Sequence, residues 1–392
     1  MLVLKRTFLI VLDSFGIGEL PDAADYGDVG SNTLESVSKS DKFHIPNLRR
    51  LGLLNIDGVA AGSPSLAPEG CFARMNEQSK GKDTTIGHWE MSGIISEKPL
   101  PTFPDGFPDQ AIEKLEKATG RGTLCNQAYS GTEVIAKYGQ EHMKSGDLIV
   151  YTSADSVLQI AAHEEIVPLT QLYEYCQMAR DIMTGDLGVG RIIARPFIGA
   201  YPNFKRTSNR HDYSLPPPKT TMLDLLVANG FETLGVGKIY DIFAGKSISW
   251  TTRTQNNREG MEKTIELLNR DFKGLCFLNL VDFDMLYGHR NDVDGYANAI
   301  SEFDVQIGEF MSKMRAEDIL MITADHGCDP ATPSTDHSRE YVPLLVYGEN
   351  IKKGINLGTR KTFSDIAATV LDIFDVKNTL PGESVLAQIK IS

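Results

Sequence analysis

Ile319-Leu-Met-Ile-Thr-Ala-Asp-His-Gly327 joins a short apolar run to two metal-capable side chains and a glycine. An apolar run of this length with no alternation reads as a strand buried on both faces, and hence as part of a parallel sheet covered by helices. Two stretches upstream repeat the design. Phe8-Leu-Ile-Val-Leu12 ends in Asp13-Ser14, with Gly16 and Gly18 beyond. Leu275-Cys-Phe-Leu-Asn-Leu-Val281 ends in Asp282 and Asp284, with His289 five residues after Asp284. Helical patterns lie between and after these runs, at Glu262–Asn269, Tyr296–Met314 and Ser364–Phe374. The last carries Ile366, Val370, Leu371 and Phe374 at helical spacing, with Ser364 as its expected N-cap. The fold class is therefore α/β, with a mostly parallel sheet flanked by helices.

The chain has 392 residues, enough for about two or three domains of roughly 150 residues each. With 39 basic and 52 acidic side chains its formal charge is −13, which disfavours broad nucleic-acid binding. A local cluster of cations can still favour a phosphorylated small molecule within one cleft. No stretch reads as a membrane span, and Phe8–Leu12 is too short for the apolar core of a signal peptide. Five scattered cysteines without C-x-x-C spacing read as reduced thiols, so a cytoplasmic location is expected.

Prolines punctuate the middle of the chain at Pro99–Pro108 and Leu215-Pro-Pro-Pro218. They fix φ and make stiff connectors. Between them, Asp147–Thr152 reads as a strand and Leu172–Met183 as an amphipathic helix. An inserted smaller α/β cap domain is expected over 99–217, dividing a core domain into 1–98 and 218–392.

Chemistry-bearing side chains gather where the predicted strands end. They are Asp13, Asp284, His289, Asp325, His326 and His337, and open α/β sheets place ligands beyond the carboxyl ends of their strands. Taken singly, such an Asp forms turns and such a His packs or hydrogen-bonds. Jointly, three aspartates and three histidines exceed one tetrahedral site and suit two divalent metals, with manganese or zinc favoured over calcium. Paired metals stabilise both the attacking and leaving oxygens of an in-line displacement at phosphorus. Ser79-Lys-Gly-Lys-Asp-Thr-Thr-Ile-Gly-His-Trp-Glu90 reads as a turn opening a helix, where free N–H groups favour phosphate. A threonine hydroxyl held against a metal there becomes a nucleophile; Thr84 and Thr85 both offer one. Arg191, Arg195, Arg206 and Arg210 form a third element, together with Lys238 after Gly235-Val-Gly237, because guanidinium forks match phosphate oxygens.

Asp13-Ser-Phe-Gly-Ile-Gly-Glu19, Gly81-Lys-Asp-Thr-Thr-Ile-Gly-His-Trp-Glu90, Tyr151-Thr-Ser-Ala-Asp-Ser-Val-Leu-Gln-Ile-Ala-Ala-His-Glu-Glu165, Asn209-Arg-His-Asp-Tyr213, Asn279-Leu-Val-Asp-Phe-Asp284 and Thr323-Ala-Asp-His-Gly327 resemble the phosphopentomutases. These are the prokaryotic, manganese-dependent members of the alkaline phosphatase superfamily, and the resemblance spans essentially the whole chain. It implies an alkaline-phosphatase-like core and two Mn²⁺ ions. One ion would be held by Asp13, Asp325 and His326 beside Thr84, the other by Asp284, His289 and His337. It further implies that Thr84 carries a phosphoryl group and that Arg191, Arg206 and Lys238 hold the distal phosphate. Ser153 and Asp155 are implied as contacts to the sugar hydroxyls.

The implied reaction interconverts α-D-ribose 1-phosphate, or its 2-deoxy analogue, with the 5-phosphate through a 1,5-bisphosphate. A bisphosphate activator, glucose 1,6-bisphosphate or ribose 1,5-bisphosphate, would prime the enzyme, and the insert would close over the sugar. The partner is thus a small phosphosugar, with no nucleic acid or membrane; a monomer is expected, an oligomer left open. Rival readings are a two-metal phosphatase or phosphodiesterase, a phosphoglycerate mutase with a serine nucleophile, and a non-catalytic metal-binding homologue.

Overall fold

Arg6–Leu12 (β1) buries all seven of its side chains and runs through the middle of an eight-stranded sheet. The computed structural model describes residues 4–153 and 155–391. The other strands of this sheet, in chain order, are Cys71–Met75 (β2), Glu232–Val236 (β3), Trp250–Thr252 (β4), Gly274–Leu280 (β5), Asp318–Thr323 (β6), Val342–Tyr347 (β7) and Asn356–Arg360 (β8). Their spatial order is β4-β3-β5-β1-β6-β7-β2-β8. The five strands from β4 to β6 are mutually parallel, and β7 alone runs against its neighbours. The three apolar runs are therefore strands, and they are adjacent.

Register explains why their far ends meet. Leu12 lies opposite Leu280, and Val11 opposite Thr323, so β1, β5 and β6 finish at one level. The chain beyond each strand then carries Asp13, Asp284 and Asp325 from the same edge. At the opposite end Arg6 lies level with Asp318 and binds it through two contacts of 2.7 Å, both side chains buried. The same guanidinium donates to the carbonyls of Leu268 and Arg270 at 2.9 and 2.8 Å, so its charge is fully hydrogen-bonded.

Thr84–Met91 (α1) starts at Asp83, whose carboxylate accepts from the amides of Thr85 and Ile86 at 3.0 and 3.1 Å. Those two amides serve the cap itself, which corrects the expectation that this turn leaves them free for phosphate. Gly87 lets α1 approach β6's end closely: a Cβ there would fall 2.2 Å from the carbonyl oxygen of Asp325. Val293–Lys313 (α2) buries Tyr296, Ile300, Phe303, Ile307 and Phe310 at helical spacing, and Phe310 packs edge-on against Phe8 of β1 at 5.1 Å. The helix Asp365–Ile373 begins at Ser364, but the Ser364 side chain does not cap it. Its hydroxyl donates instead to the Glu90 carbonyl at 2.8 Å, because helical φ and ψ at Ser364 turn the side chain away from the first-turn amides.

The chain divides into two compact units, Met1–Pro99 with Pro217–Ser392, and Leu100–Pro216. The second has its own mixed sheet built on Leu148–Thr152, Val157–His163 and Arg191–Ile198, with Leu169–Ile182 packed on Arg191–Ile198. Leu148, Val150, Leu158, Ile160, Leu172 and Cys176 belong to its core. All five cysteines are free. Among the described residues no helix is long and apolar enough to cross a membrane.

Candidate metal centre

Asp13, Asp325 and His326 come together with their donor atoms within 4.8 Å of one another, as do Asp284, His326 and His337. His326 Nε2 lies 3.4 Å from Asp13 Oδ1, 3.4 Å from Asp325 Oδ2 and 3.4 Å from Thr84 Oγ1. Thr84 is thus the hydroxyl brought to the cluster, buried at the start of α1. Asp284 sits in the single π-turn Phe283–Tyr287 that follows β5. Its carboxylate lies 3.1 Å from His289 Nε2 and 3.4 Å from His337 Nε2. The His337 ring is 4.0 Å from that of His326 and 4.8 Å from that of His289, so all six predicted ligands form one connected cluster.

The charges inside this cluster act strongly on one another. Burial raises Asp13 above the usual carboxylate range, and the neighbouring Asp325 adds to it. Burial would also raise Asp325, but the adjacent His326 and His88 outweigh it and hold Asp325 at about 2. Against the same burial, His337 and His289 keep Asp284 well below its ordinary value. His289 is pushed up to about 11, first by its hydrogen bond with Asp284 and then by Cys328. His326 rises well above the usual imidazole value although burial opposes this, because Asp325 and Asp13 flank it.

The donor set fits a divalent cation. Asp13 Oδ1, Asp325 Oδ2 and Asp284 Oδ1 are buried without a hydrogen-bond donor among the described residues. An unpaired buried carboxylate oxygen is costly unless positive charge compensates it. Moreover, His326 Nδ1 donates to the Gly327 carbonyl at 2.9 Å and His289 Nδ1 to that of Thr335 at 2.6 Å. Each such bond fixes the tautomer and leaves Nε2 facing the carboxylates, as in metal-ligating imidazoles. Mixed carboxylate and imidazole donors suit manganese or zinc.

A third group, Asp284 with His289 and Cys328, also has its donor atoms within 4.8 Å of one another. Cys328 was not among the predicted ligands. Its place two residues after His326 was the available signal, which the scattered cysteine pattern outweighed. The other unread element is Arg339, buried beside the loop that leads into α1. It donates to Asp22, to Glu77 and, at 2.8 Å, to the Gly81 carbonyl.

Lys238 precedes the short helix Ile239–Ile242 in the same unit, and its charge acts on Asp13. In the second unit Arg195, Arg206 and Arg210 act together on Tyr151, and Arg191, Arg195 and Arg210 on Asp212. Arg191 opens the strand Arg191–Ile198, whereas Arg206 pairs with Phe197 near that strand's far end, roughly 20 Å along it. Arg191 lies 3.6 Å from Asp212 and 4.0 Å from the exposed Asp155. Arg210 holds Asp212 through two contacts of 2.6 Å, and Arg195 donates to Gln159 at 2.9 Å. Arg206 stands against Gly131, at the start of the helix Gly131–Ser145. Ser153 is half-buried at the end of Leu148–Thr152, and its carbonyl lies 3.4 Å from the Thr152 hydroxyl. Ala154 lies outside the described residues.

Acids and imidazoles gathered where the parallel strands of such a sheet end define a class, the metalloenzymes with an alkaline-phosphatase-like core. The Metalloenzyme superfamily matches residues 5–378. A phosphopentomutase of Lachnoclostridium phytofermentans is 61% identical over 386 residues, covering 98% of this chain and 99% of that one. Phosphopentomutases of Carboxydothermus hydrogenoformans and Acetivibrio thermocellus are 56% and 55% identical, covering 99% and 98% of this chain and all of theirs (100% each). The chain belongs to the phosphopentomutase family of the metalloenzyme superfamily, and so to the isomerases.

Proposed function

We propose that the chain interconverts α-D-ribose 1-phosphate, or its 2-deoxy analogue, with the 5-phosphate, using Thr84 as phosphoryl carrier. The observation that carries this reading is the contact of Thr84 Oγ1 with His326 Nε2 at 3.4 Å, in a cluster whose three aspartates each present an unpaired buried oxygen. Asp13, Asp325 and His326 would hold one Mn²⁺, and Asp284, His289 and His337 the other. Bound there, the cations supply positive charge that offsets repulsion between phosphate and an incoming oxygen, and they favour the alkoxide of a nearby hydroxyl.

The chain's own residues do the rest. Thr84 is held at a helix start by the Asp83 cap, so its hydroxyl is oriented before substrate arrives. With Thr84 phosphorylated, the free 5-hydroxyl of ribose 1-phosphate attacks phosphorus. The new O5–P bond forms as the Oγ1–P bond breaks, and the hydroxyl proton passes in net terms to Thr84 Oγ1. Thr84 Oγ1 next attacks the phosphorus on O1 of the 1,5-bisphosphate. The O1–P bond breaks, O1 gains the proton, and ribose 5-phosphate leaves. Lys238, Arg191 and Arg206 would receive the phosphate that is not reacting, with Ser153 and Asp155 on the sugar hydroxyls. Glucose 1,6-bisphosphate or ribose 1,5-bisphosphate primes unphosphorylated Thr84.

Phosphorus NMR of the Mn²⁺-loaded enzyme with ribose 5-phosphate and a trace of bisphosphate tests this. Accumulating ribose 1-phosphate supports the mutase, whereas accumulating inorganic phosphate assigns a hydrolase. Thr84→Ala should lose turnover while keeping its fold.

A further inference from the structure

His88 and Asn279 take no part in the reaction as described, yet they join its two halves. His88 lies one turn after Thr84 on α1 and is fully buried, and Asn279 is a buried residue of β5. His88 Nδ1 lies 2.8 Å from the Thr84 carbonyl oxygen, and His88 Nε2 lies 3.0 Å from Asn279 Nδ2. The same Nδ2 lies 3.1 Å from Asp13 Oδ2.

Chemistry assigns every proton in this chain. A carbonyl only accepts, so Nδ1 carries the hydrogen and donates to Thr84. A carboxylate also only accepts here, so Asn279 turns its NH₂ toward Asp13 and gives its second hydrogen to Nε2. The reversed amide would set Oδ1 against the Asp13 carboxylate. Phe277, two residues before Asn279 on the same face of β5, stacks on the His88 ring at 5.7 Å and 26° and holds its plane. His88 Nδ1 also stands 3.2 Å from Asp325 Oδ2.

We infer that His88 and Asn279 are positioning residues that fix Thr84 relative to the Asp13 carboxylate. The inference rests on the reading of Asp13 as a metal ligand and Thr84 as phosphoryl carrier. Asn279 leaves Asp13 Oδ1 free by occupying Oδ2, which sets the side from which the carboxylate meets a cation. His88 ties that same amide to the backbone of the residue that must attack phosphorus. Outer-shell partners of this kind typically change metal affinity or activity by about 10- to 100-fold.

Two substitutions at His88 separate the two ends of the link. His88→Gln can set an acceptor oxygen near the position of Nε2 but offers no hydrogen to Thr84. His88→Asn can offer that hydrogen but is too short to reach Asn279. Both are compared with wild type and Asn279→Ala in the Mn²⁺-loaded enzyme, alongside thermal melts. Free Mn²⁺ is measured by its EPR signal, and kcat and KM are measured with ribose 5-phosphate.

His88→Gln, which also loses the Nδ1–Asp325 contact, should weaken Mn²⁺ by less than His88→Asn does, while kcat falls at least about tenfold with KM nearly unchanged. His88→Asn should weaken Mn²⁺ at one site by about tenfold, yet keep the greater turnover of the two at saturating Mn²⁺. Asn279→Ala should weaken the same site. A purely structural His88 would make its two variants alike in Kd and kcat, differing only in melting temperature; that result overturns the inference. So does an Asn279→Ala enzyme with wild-type Mn²⁺ affinity. Should either His88 variant fail to fold, Asn279→Ala decides alone, and Asn279→Ser replaces it if needed. Thr84→Ala serves as the control: turnover there would refute the proposed function, whereas a dead Thr84→Ala beside indistinguishable His88 variants removes only the positioning role.

Discussion

Gly87→Ala adds one methyl group and removes no donor, acceptor or charge, so it probes how closely the helix that carries Thr84 must sit against Asp325. The new Cβ would sit 2.2 Å from the Asp325 carbonyl oxygen and 2.9 Å from Asp325's carbonyl carbon and Cβ. These are main-chain atoms and a Cβ at the end of a buried strand, so they yield little. An ordinary carbon–oxygen contact needs more than 3 Å, so α1 must retreat by about 1 Å. Thr84, three residues earlier on the same short helix, retreats with it and leaves its 3.4 Å contact with His326. A misplacement of about 1 Å costs on the order of 100-fold in rate, equivalent to about 2.7 kcal/mol in the barrier. Overpacking costs roughly 1–3 kcal/mol in stability, which a core of this size tolerates at 25 °C. The assay is steady-state turnover of ribose 5-phosphate at saturating Mn²⁺, with circular dichroism confirming the fold. A folded Gly87→Ala enzyme whose kcat stays within threefold of wild type would refute the claim that Thr84 must be held against Asp325 and His326.

Other expectations follow from charges buried in the core unit. Burial lifts Glu340 from 4.5 to about 7, although it accepts hydrogen bonds from Ser338, Thr33 and Gly18. Between those values the folded state holds a proton that the unfolded chain has released. Stability therefore falls as pH rises through this window, by roughly 3 kcal/mol in all. Glu340→Gln should remove this slope in urea melts taken at pH 5 and pH 8, and an unchanged slope would assign it to other groups. Asp318→Ala leaves the buried Arg6 charge unpaired and should destabilise the fold by about 3–5 kcal/mol, read as a shift in the urea midpoint. A loss below about 1 kcal/mol would mean that the carbonyls of Leu268 and Arg270 suffice for the guanidinium.

Much of the core was legible because its strands are buried on both faces. Phe8–Leu12, Leu275–Val281 and Ile319–Thr323 have no polar residue to blur the pattern, apart from Asn279 and the closing Thr323, and each ends in an acid. Residues fixed by position after such strands, Asp13, Asp284 and Asp325, were therefore visible from the chain alone. What remained hidden depends on pairing in space. Nothing local marks β7 as the strand that reverses direction, since Val342–Tyr347 reads equally well either way. Arg191 and Arg206 are close in sequence, but only the turn back after Ile198, which sets Arg206 opposite Phe197, fixes where each lies along the strand. Cys328 resembles any buried thiol until the turn after β5 brings Asp284 and His289 beside it. His88 and Asn279 lie within motifs that identify the family, yet their contact spans 191 residues and has no local signature.

The proposed chemistry requires a two-cation centre that grips the Thr84 hydroxyl. Anomalous diffraction at the manganese edge, from crystals grown with Mn²⁺ and a bisphosphate, tests it most directly. Two peaks about 3.5–4 Å apart are predicted. One should lie against Asp13, Asp325 and His326, the other against Asp284, His289 and His337, with phosphate density joined to Thr84 Oγ1. A single peak, or two peaks on separate surfaces with Thr84 unmodified, would contradict it.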